Sequence, residues 1–171
     1  MRMMILALLL VAGPAPARAP SPPGPPACAA SQYRQLDFWV GDWDVFDTAR
    51  GFKAGTSRIE KVMNGCSIKE SYDAPNAPSG PYAGTSYSSY DAKDGKWRQF
   101  YVDVKGNASL YVGGMEGADM VLVAPVRSGV QRMTYRPHPD GSVEQIGLIS
   151  TDRGKSWGPA YDLIYRRKQG L

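Results

Sequence analysis

The sequence contains few side chains that bind metals or act as nucleophiles. It has a single histidine, His138, and two cysteines, Cys28 and Cys66. Zinc sites and Cys–His nucleophiles need several such groups brought together. His138 also lies in the string RPHPDG, whose prolines and glycine indicate an exposed turn. We therefore predict no metal site and no cofactor.

The chain also lacks a strong excess of charge of either sign. Its net charge is +4, but Arg2 and Arg18 precede Cys28 and no acidic residue does, so the remainder carries only +2. Basic and acidic residues are interspersed, and the basic run at 166–168 is short. Nucleic-acid-binding domains usually cluster their basic residues on one face. The sequence predicts no nucleic-acid partner.

No apolar run is long enough to cross a bilayer, which takes roughly 20 residues. The apolar run that follows Arg2 has the shorter length of a signal-peptide core, and the strings APA and ARA within residues 15–19 offer cleavage sites. We predict a signal peptide over residues 1–19 and an exported protein, periplasmic or extracellular, with no transmembrane span in the mature chain. The proline-rich string that follows favours extended polyproline II, which predicts a tether over residues 20–30.

Cys28 and Cys66 are an even pair in a chain that is expected to be exported. In an oxidising compartment such a pair is most simply a disulfide. Closing the loop between them would stabilise the fold by about 4 kcal/mol on the chain-entropy account. Two free thiols are the alternative, and lipidation of Cys28 is weaker because no apolar residue stands three positions before it.

From Trp43 onward, short runs rich in β-branched and aromatic residues alternate with turn-forming pairs. Asn64-Gly65, Asp94-Gly95, Ser128-Gly129, Asp140-Gly141 and Arg153-Gly154 each separate two such runs. Strands joined by tight turns pair antiparallel, and a meander of about ten strands can close and so lose its edges. The sequence therefore predicts an all-β, up-and-down antiparallel barrel domain over residues 31–168.

One segment before the first strand has a helical pattern. In SQYRQLDFWVG, Tyr33, Leu36, Trp39 and Val40 fall on one side of a helix, and Ser31 could cap it. We predict a short N-terminal helix that closes one end of the barrel.

Reading each strand with a period of two gives a candidate inner wall. A ten-stranded barrel is wide enough to hold a cavity, although tyrosine and tryptophan could instead fill the core. If the barrel is hollow, we predict a small, partly apolar ligand. The predicted pocket residues are Glu70, Tyr72, Ser86, Tyr90, Trp97, Gln99, Tyr101, Arg132 and Gln145.

Two other functions are consistent with the sequence. A hydrolase or isomerase could use Glu70 or Asp103 as a base, because burial beside aromatic groups raises a carboxyl pKa. No nucleophile–base arrangement supports this, so we predict no catalytic residue. A filled barrel could instead act through its outer surface as a cell-envelope interaction module, which a contiguous exposed apolar patch would favour. The sequence does not indicate an oligomeric state.

The string STDRGKSW (150–157) resembles the Asp-box of sialidases and other glycan-active proteins. SYDAKDGKW (89–97) has the same order of aspartate, glycine and tryptophan. An aspartate in such a turn accepts hydrogen bonds from backbone amides, glycine supplies a positive φ, and tryptophan packs against the hairpin. We therefore interpret Asp152, Gly154 and Trp157 as structural.

The string FWVGDWDV (38–45) carries a resemblance to lipocalin-like barrels. Gly41 and Trp43 match the Gly-x-Trp of their first strand, and Arg166 or Arg167 matches the basic residue that stacks on that tryptophan. Together with the Asn-Gly-Cys turn before Glu70, the GKW string at 95–97 and STDRGKSW, the chain resembles a bacterial family catalogued as domain of unknown function 1579. That resemblance implies a lipocalin-like barrel and no established reaction.

The chain departs from this resemblance at Gly147 and Leu148. The family commonly has a bulky aromatic residue and an acid there, so their loss would enlarge or neutralise that part of the wall.

Overall fold

The computed structural model describes residues 27–169 and shows a closed barrel of ten antiparallel strands. Each strand pairs with its neighbours in sequence, and β1 pairs with β10 to close the sheet. The all-β, up-and-down prediction is therefore confirmed. The strands are β1 (Gly41–Asp47), β2 (Lys53–Val62), β3 (Ser67–Ala74), β4 (Tyr82–Asp91), β5 (Lys96–Asp103), β6 (Ala108–Glu116), β7 (Asp119–Val126), β8 (Gly129–Pro137), β9 (Val143–Ser150) and β10 (Gly158–Arg167).

The predicted N-terminal helix is present as two 3-10 turns, Ser31–Arg34 and Asp37–Trp39. Ser31 does not cap it: the capping position belongs to Ala30, and no side chain bonds there. A third 3-10 turn, Met63–Gly65, joins β2 to β3. No helix within residues 27–169 is long and apolar enough to cross a membrane. The predicted signal peptide and residues 20–26 of the predicted tether lie outside the described residues.

The 3-10 turns close one end of the barrel, here called the plugged end. Leu36 and Trp39 are fully buried there. The indole of Trp43 donates a hydrogen bond to the carbonyl oxygen of Trp39 at 2.8 Å, which fixes the plug to the first strand. The disulfide between Cys28 and Cys66 also lies at this end, because Cys66 is in the β2–β3 turn. The predicted pairing of the two cysteines is confirmed.

Of the two candidate arginines, Arg167 is the one that stacks on Trp43 of the Gly-x-Trp string. Its guanidinium carbon lies 4.5 Å from the centre of the Trp43 ring, and it donates a hydrogen bond to the carbonyl oxygen of Val40. Arg166, on the opposite face of β10, lies 5.2 Å from the centre of the Phe46 ring. The first and last strands are thus joined by side chains on both faces as well as by their hydrogen-bond ladder.

The STDRGKSW string forms the turn between β9 and β10. Asp152 accepts hydrogen bonds from the backbone amides of Lys155 and Ser156 and from the hydroxyls of Ser150 and Ser156. These hydrogen bonds, led by that of the Ser156 hydroxyl, hold the pKa of Asp152 far below its usual range. All four of these hydrogen bonds come from residues 150–156, so the box acts in this protein as a hairpin.

Candidate functional site

The barrel is filled at one end and hollow at the other. The plugged half is packed by buried aromatic and aliphatic side chains that include Trp39, Trp43 and Trp97. The other half encloses a cavity of about 1210 Å³, above the size of many ligand sites. The loops after β1, β3, β5, β7 and β9 surround its opening, here called the mouth. Of the two alternatives that the sequence left open, the filled barrel describes the plugged half and the hollow barrel describes the open half.

The cavity ends on a layer of buried polar side chains, here called the floor. These residues lie at the middle of their strands or nearer the plugged end, between the aromatic packing of the plugged half and the open space. The floor consists of Glu70, Gln99, Tyr135, Gln145 and Tyr165.

Glu70 is at the centre of the hydrogen bonding on the floor. Its Oε1 accepts from the hydroxyl of Ser57 at 3.0 Å and from that of Tyr165 at 3.3 Å, and its Oε2 accepts from Ser86 at 3.3 Å. The side chain is only 4 % exposed. Loss of water raises the pKa of Glu70 to about 7, although the hydrogen bonds from these three hydroxyls oppose the rise.

The hydrogen bonds continue from Glu70 to the glutamine side chains. The Tyr165 hydroxyl also lies 2.9 Å from Oε1 of Gln145, and Nε2 of Gln145 donates to the Met133 sulfur. A tyrosine has one proton, so Tyr165 can donate to Glu70 or to Gln145 but not to both. The proton on Glu70 and the orientation of Gln145 are therefore coupled.

The sides of the cavity are rich in tyrosine, and these residues form what is here called the tyrosine wall. The hydroxyls of Tyr82 and Tyr101 are 2.5 Å apart, and Tyr111 donates to Gln131 at 2.6 Å. Burial raises the pKa of Tyr72 and Tyr111 to about 12, so these phenols are neutral near pH 7. The tyrosine wall consists of Tyr72, Tyr82, Tyr101, Tyr111 and Tyr161.

The absence of a side chain at two positions makes room for the tyrosine wall. A Cβ added at Gly84 would collide with the ring and hydroxyl of Tyr101, and one added at Gly147 would collide with the ring of Tyr161. Gly147 therefore does not enlarge the cavity, because Tyr161 covers it. Leu148 faces outward, opposite Arg132, and does not change the wall. The expectation drawn from these two departures is wrong.

Five of the nine predicted pocket residues line the cavity: Glu70, Tyr72, Gln99, Tyr101 and Gln145.

The other four predicted residues lie elsewhere. Ser86 is buried behind the floor, where it donates to Glu70. Tyr90 and Trp97 point inward but belong to the plugged half, with ring centres 6.1 Å apart. Arg132 is on the outer surface, because its strand turns Met133 and Tyr135 inward, and it forms a salt bridge with Glu116 at 2.8 Å. The pocket assignment of Arg132 is wrong.

The sequence reasoning missed part of the site. Tyr135 and Tyr165 of the floor and Tyr82, Tyr111 and Tyr161 of the tyrosine wall were not chosen. The signal for Tyr135 was available, since it shares an alternating apolar face with Met133, opposite the charged face of Arg132.

Asp103, the other carboxyl considered as a base, lies at the mouth. Partial burial opposes its ionisation, but hydrogen bonds from Asn107, Lys105 and Tyr82 lower its pKa. A carboxyl with a lowered pKa is a weak base. Within residues 27–169, no group of three or more His, Cys, Asp or Glu residues could hold a metal ion.

The outer surface carries a row of exposed apolar side chains across three strands. Tyr87, Phe100 and Leu110 stand opposite one another on β4, β5 and β6, and each is about half exposed. The interaction-module hypothesis calls for a contiguous exposed apolar patch of more than the usual few hundred Å², and three half-exposed residues are few for a protein interface.

A scan against protein-family models finds no match for the chain, and a search of curated protein sequences finds none either.

Proposed function

We propose that this protein is an exported barrel that binds a small, partly apolar ligand in the cavity of its open half. The cavity of about 1210 Å³ carries the proposal, because a barrel that served only as a scaffold would gain stability by filling that space. Its sides combine aromatic faces with a few convergent polar groups, which is the usual composition of a ligand site. The disulfide supports export, since such bonds persist mainly in oxidising compartments.

The likeness to the domain of unknown function 1579 family is part of this proposal and adds no reaction to it.

The proposal is tested with N-phenyl-1-naphthylamine, a neutral apolar dye whose fluorescence increases in dry surroundings. We expect saturable binding by the native protein. Ser109 lines the cavity opposite Tyr101, so Ser109→Trp should fill part of the space and weaken dye binding at least tenfold. Leu110→Trp is the matched control, because Leu110 is the next residue on β6 and faces solvent. Thermal unfolding of both variants checks that each is folded.

Absence of saturable dye binding, or equal weakening by the two tryptophan variants, would contradict a ligand site in the cavity. Native mass spectrometry of protein purified from the oxidising compartment gives an independent measurement. A mass excess that is lost on denaturation would identify a retained ligand by its mass.

A second candidate function follows from Glu70. A carboxyl with a pKa of about 7 at the floor of a cavity could remove a proton from a carbon next to a carbonyl group, as in an isomerase. The neighbouring tyrosine hydroxyls could donate hydrogen bonds to the resulting enolate. Turnover of an enolisable ketone that is lost in Glu70→Gln, with dye binding retained, would favour this function over binding alone.

A further inference from the structure

The charges that line the cavity are unevenly placed. Asp47, Arg50, Asp103, Lys105 and Arg127 all lie at strand ends or in loops around the mouth. Glu70 is the one carboxyl on the floor, at the middle of β3, and its ionisable neighbours there are tyrosines. A ligand that reaches the floor therefore meets a single carboxyl and no basic side chain among the described residues.

Glu70 has only neutral partners in the described part of the chain. Its three donors are the hydroxyls of Ser57, Ser86 and Tyr165, and it takes part in no salt bridge there. An ionised carboxylate has about four acceptor positions. Oε2 accepts from Ser86 alone, and Tyr165 can turn its proton to Gln145 instead, so Glu70, which lines the cavity, retains acceptor capacity.

The basic side chains that line the cavity all lie at the mouth. Arg50 lies 3.9 Å from Asp47, and Lys105 lies over the ring of Tyr82, two residues after Asp103. Arg127 is the third, on the loop between β7 and β8. An anionic ligand would therefore meet positive charge at the opening but, on the floor, only the carboxyl of Glu70, which repels it once that carboxyl is ionised.

The surroundings of Glu70 suit a cation. Aromatic faces attract ammonium groups, and tyrosine is among the side chains that form such cages. The rings of Tyr72 and Tyr82 meet edge to face with centres 6.1 Å apart on the wall near Glu70, and Tyr165 contacts the carboxyl directly. The same faces can pack against the apolar part of a ligand.

We propose that the ligand is a small organic ammonium compound, a primary amine with an aromatic or aliphatic body, whose ammonium group pairs with Glu70 on the floor while its body packs on the tyrosine wall. This inference rests on the proposed ligand-binding function and names the chemical class of its ligand.

Ion pairing with Glu70 makes binding depend on pH. The ammonium group favours the ionised carboxyl, so binding below neutral pH releases the proton that Glu70 carries. Neighbouring groups do not titrate in this range. Ser57 and Ser86 are hydroxyls, and Tyr72, Tyr82, Tyr135 and Tyr165 have pKa values raised above 10 by burial. Affinity for an ammonium ligand should therefore rise about tenfold between pH 6 and pH 8.

The test uses three probes that share one naphthalene body and differ in head group. They are 2-(naphthalen-1-yl)ethylamine, 2-(naphthalen-1-yl)ethanol and 3-(naphthalen-1-yl)propanoate, which are cationic, neutral and anionic between pH 6 and pH 8. Isothermal titration calorimetry with the purified, oxidised protein gives each dissociation constant. Repeating the titration in buffers of different ionisation enthalpy gives the protons released.

We expect the amine to bind at least tenfold more tightly than the alcohol at pH 8, with close to one proton released at pH 6 and close to none at pH 8. Glu70→Gln should abolish the preference for the amine and its pH dependence while the alcohol still binds. Glu144→Gln is the matched control, because Glu144 lies on the outer face beside Arg136 and should change neither.

Other outcomes would overturn the inference in distinguishable ways. Equal binding of amine and alcohol, or tightest binding of the propanoate, would exclude an ammonium ligand. If the neutral dye still bound in that case, the cavity would remain a ligand site. Failure of all three probes together with the dye would remove both the inference and the proposed function. An amine preference that survives Glu70→Gln would place the cation elsewhere.

Discussion

The buried carboxyl of Glu70 should make the protein less stable as the pH rises from about 4.5 to about 7. Its pKa is about 7 in the folded protein and 4.5 as an ordinary glutamate, so the folded state holds a proton that the unfolded chain has already released. Between these values the folded state binds more protons, and the free energy of unfolding therefore falls with rising pH. Glu70→Gln keeps the size of the side chain and removes this dependence.

The magnitude follows from the two pKa values. The separation of the two pKa values corresponds to about 3 kcal/mol of unfolding free energy, most of which the native protein loses between pH 4.5 and pH 7. At pH 4, where Glu70 is protonated in both states, the native protein and Glu70→Gln should differ by only about 1 kcal/mol. From pH 4 to pH 8.5, the free energy of unfolding of Glu70→Gln should rise by about 3 kcal/mol relative to that of the native protein.

Urea unfolding at a series of pH values, without ligand, measures this difference directly. Other titrating groups affect both proteins equally, so the difference between them isolates Glu70. Glu144→Gln removes a carboxyl whose ion pairs with Arg136 and His138 lie at the surface, so it should shift the free energy of unfolding by at most about 1 kcal/mol at any pH of the series. A difference between native protein and Glu70→Gln that stays constant from pH 4 to pH 8.5 would refute the assignment of Glu70 as an uncompensated buried carboxyl. A difference of opposite slope would show that a positive charge stabilises it.

Two further predictions concern the structural side chains. Arg167→Ala should lower the free energy of unfolding by about 1 kcal/mol in urea titrations, since it removes the cation from the face of Trp43, whereas Lys168→Ala should have no such effect. Asp152→Ala should lower the thermal midpoint, because the amides of its turn lose their acceptor, and should leave dye binding unchanged. Loss of dye binding in that variant would show that the Asp-box contributes to the site after all.

The barrel could be predicted because its turns are encoded locally. Asn64, with φ of 55°, and Gly65, with φ of 82°, adopt the positive values that their residue types favour, and the same holds for Gly95 and Gly154. Strands of alternating pattern between such turns leave few arrangements other than a meander. The position of the N-terminal helical segment and the burial of its apolar residues were predicted correctly, but the capping residue was not. The core that this nine-residue segment covers determines its conformation more than its own capping residue does.

The site was less predictable because alternation identifies the face of a strand and not the depth along it. Tyr90 and Trp97 were correctly placed inside, but they are on the plugged side of the floor. Gly147 shows a second limit: the sequence indicated a gap in the wall, and only the structure shows Tyr161 covering it. The choice of Arg132 was an error of a different kind, because it favoured a charged residue over the apolar face formed by Met133 and Tyr135.

For the proposed ligand-binding function, the plugged end also determines how quickly a ligand can exchange. With that end packed by Leu36 and Trp39, molecules arrive and leave through the same mouth, and the loops there form a barrier common to both directions. A substitution in a mouth loop that leaves the charge there unchanged should then change the association and dissociation rates by the same factor and leave the equilibrium constant unaltered. A change on the floor should instead alter mainly the dissociation rate. Residence time and affinity can thus be adjusted separately in this barrel.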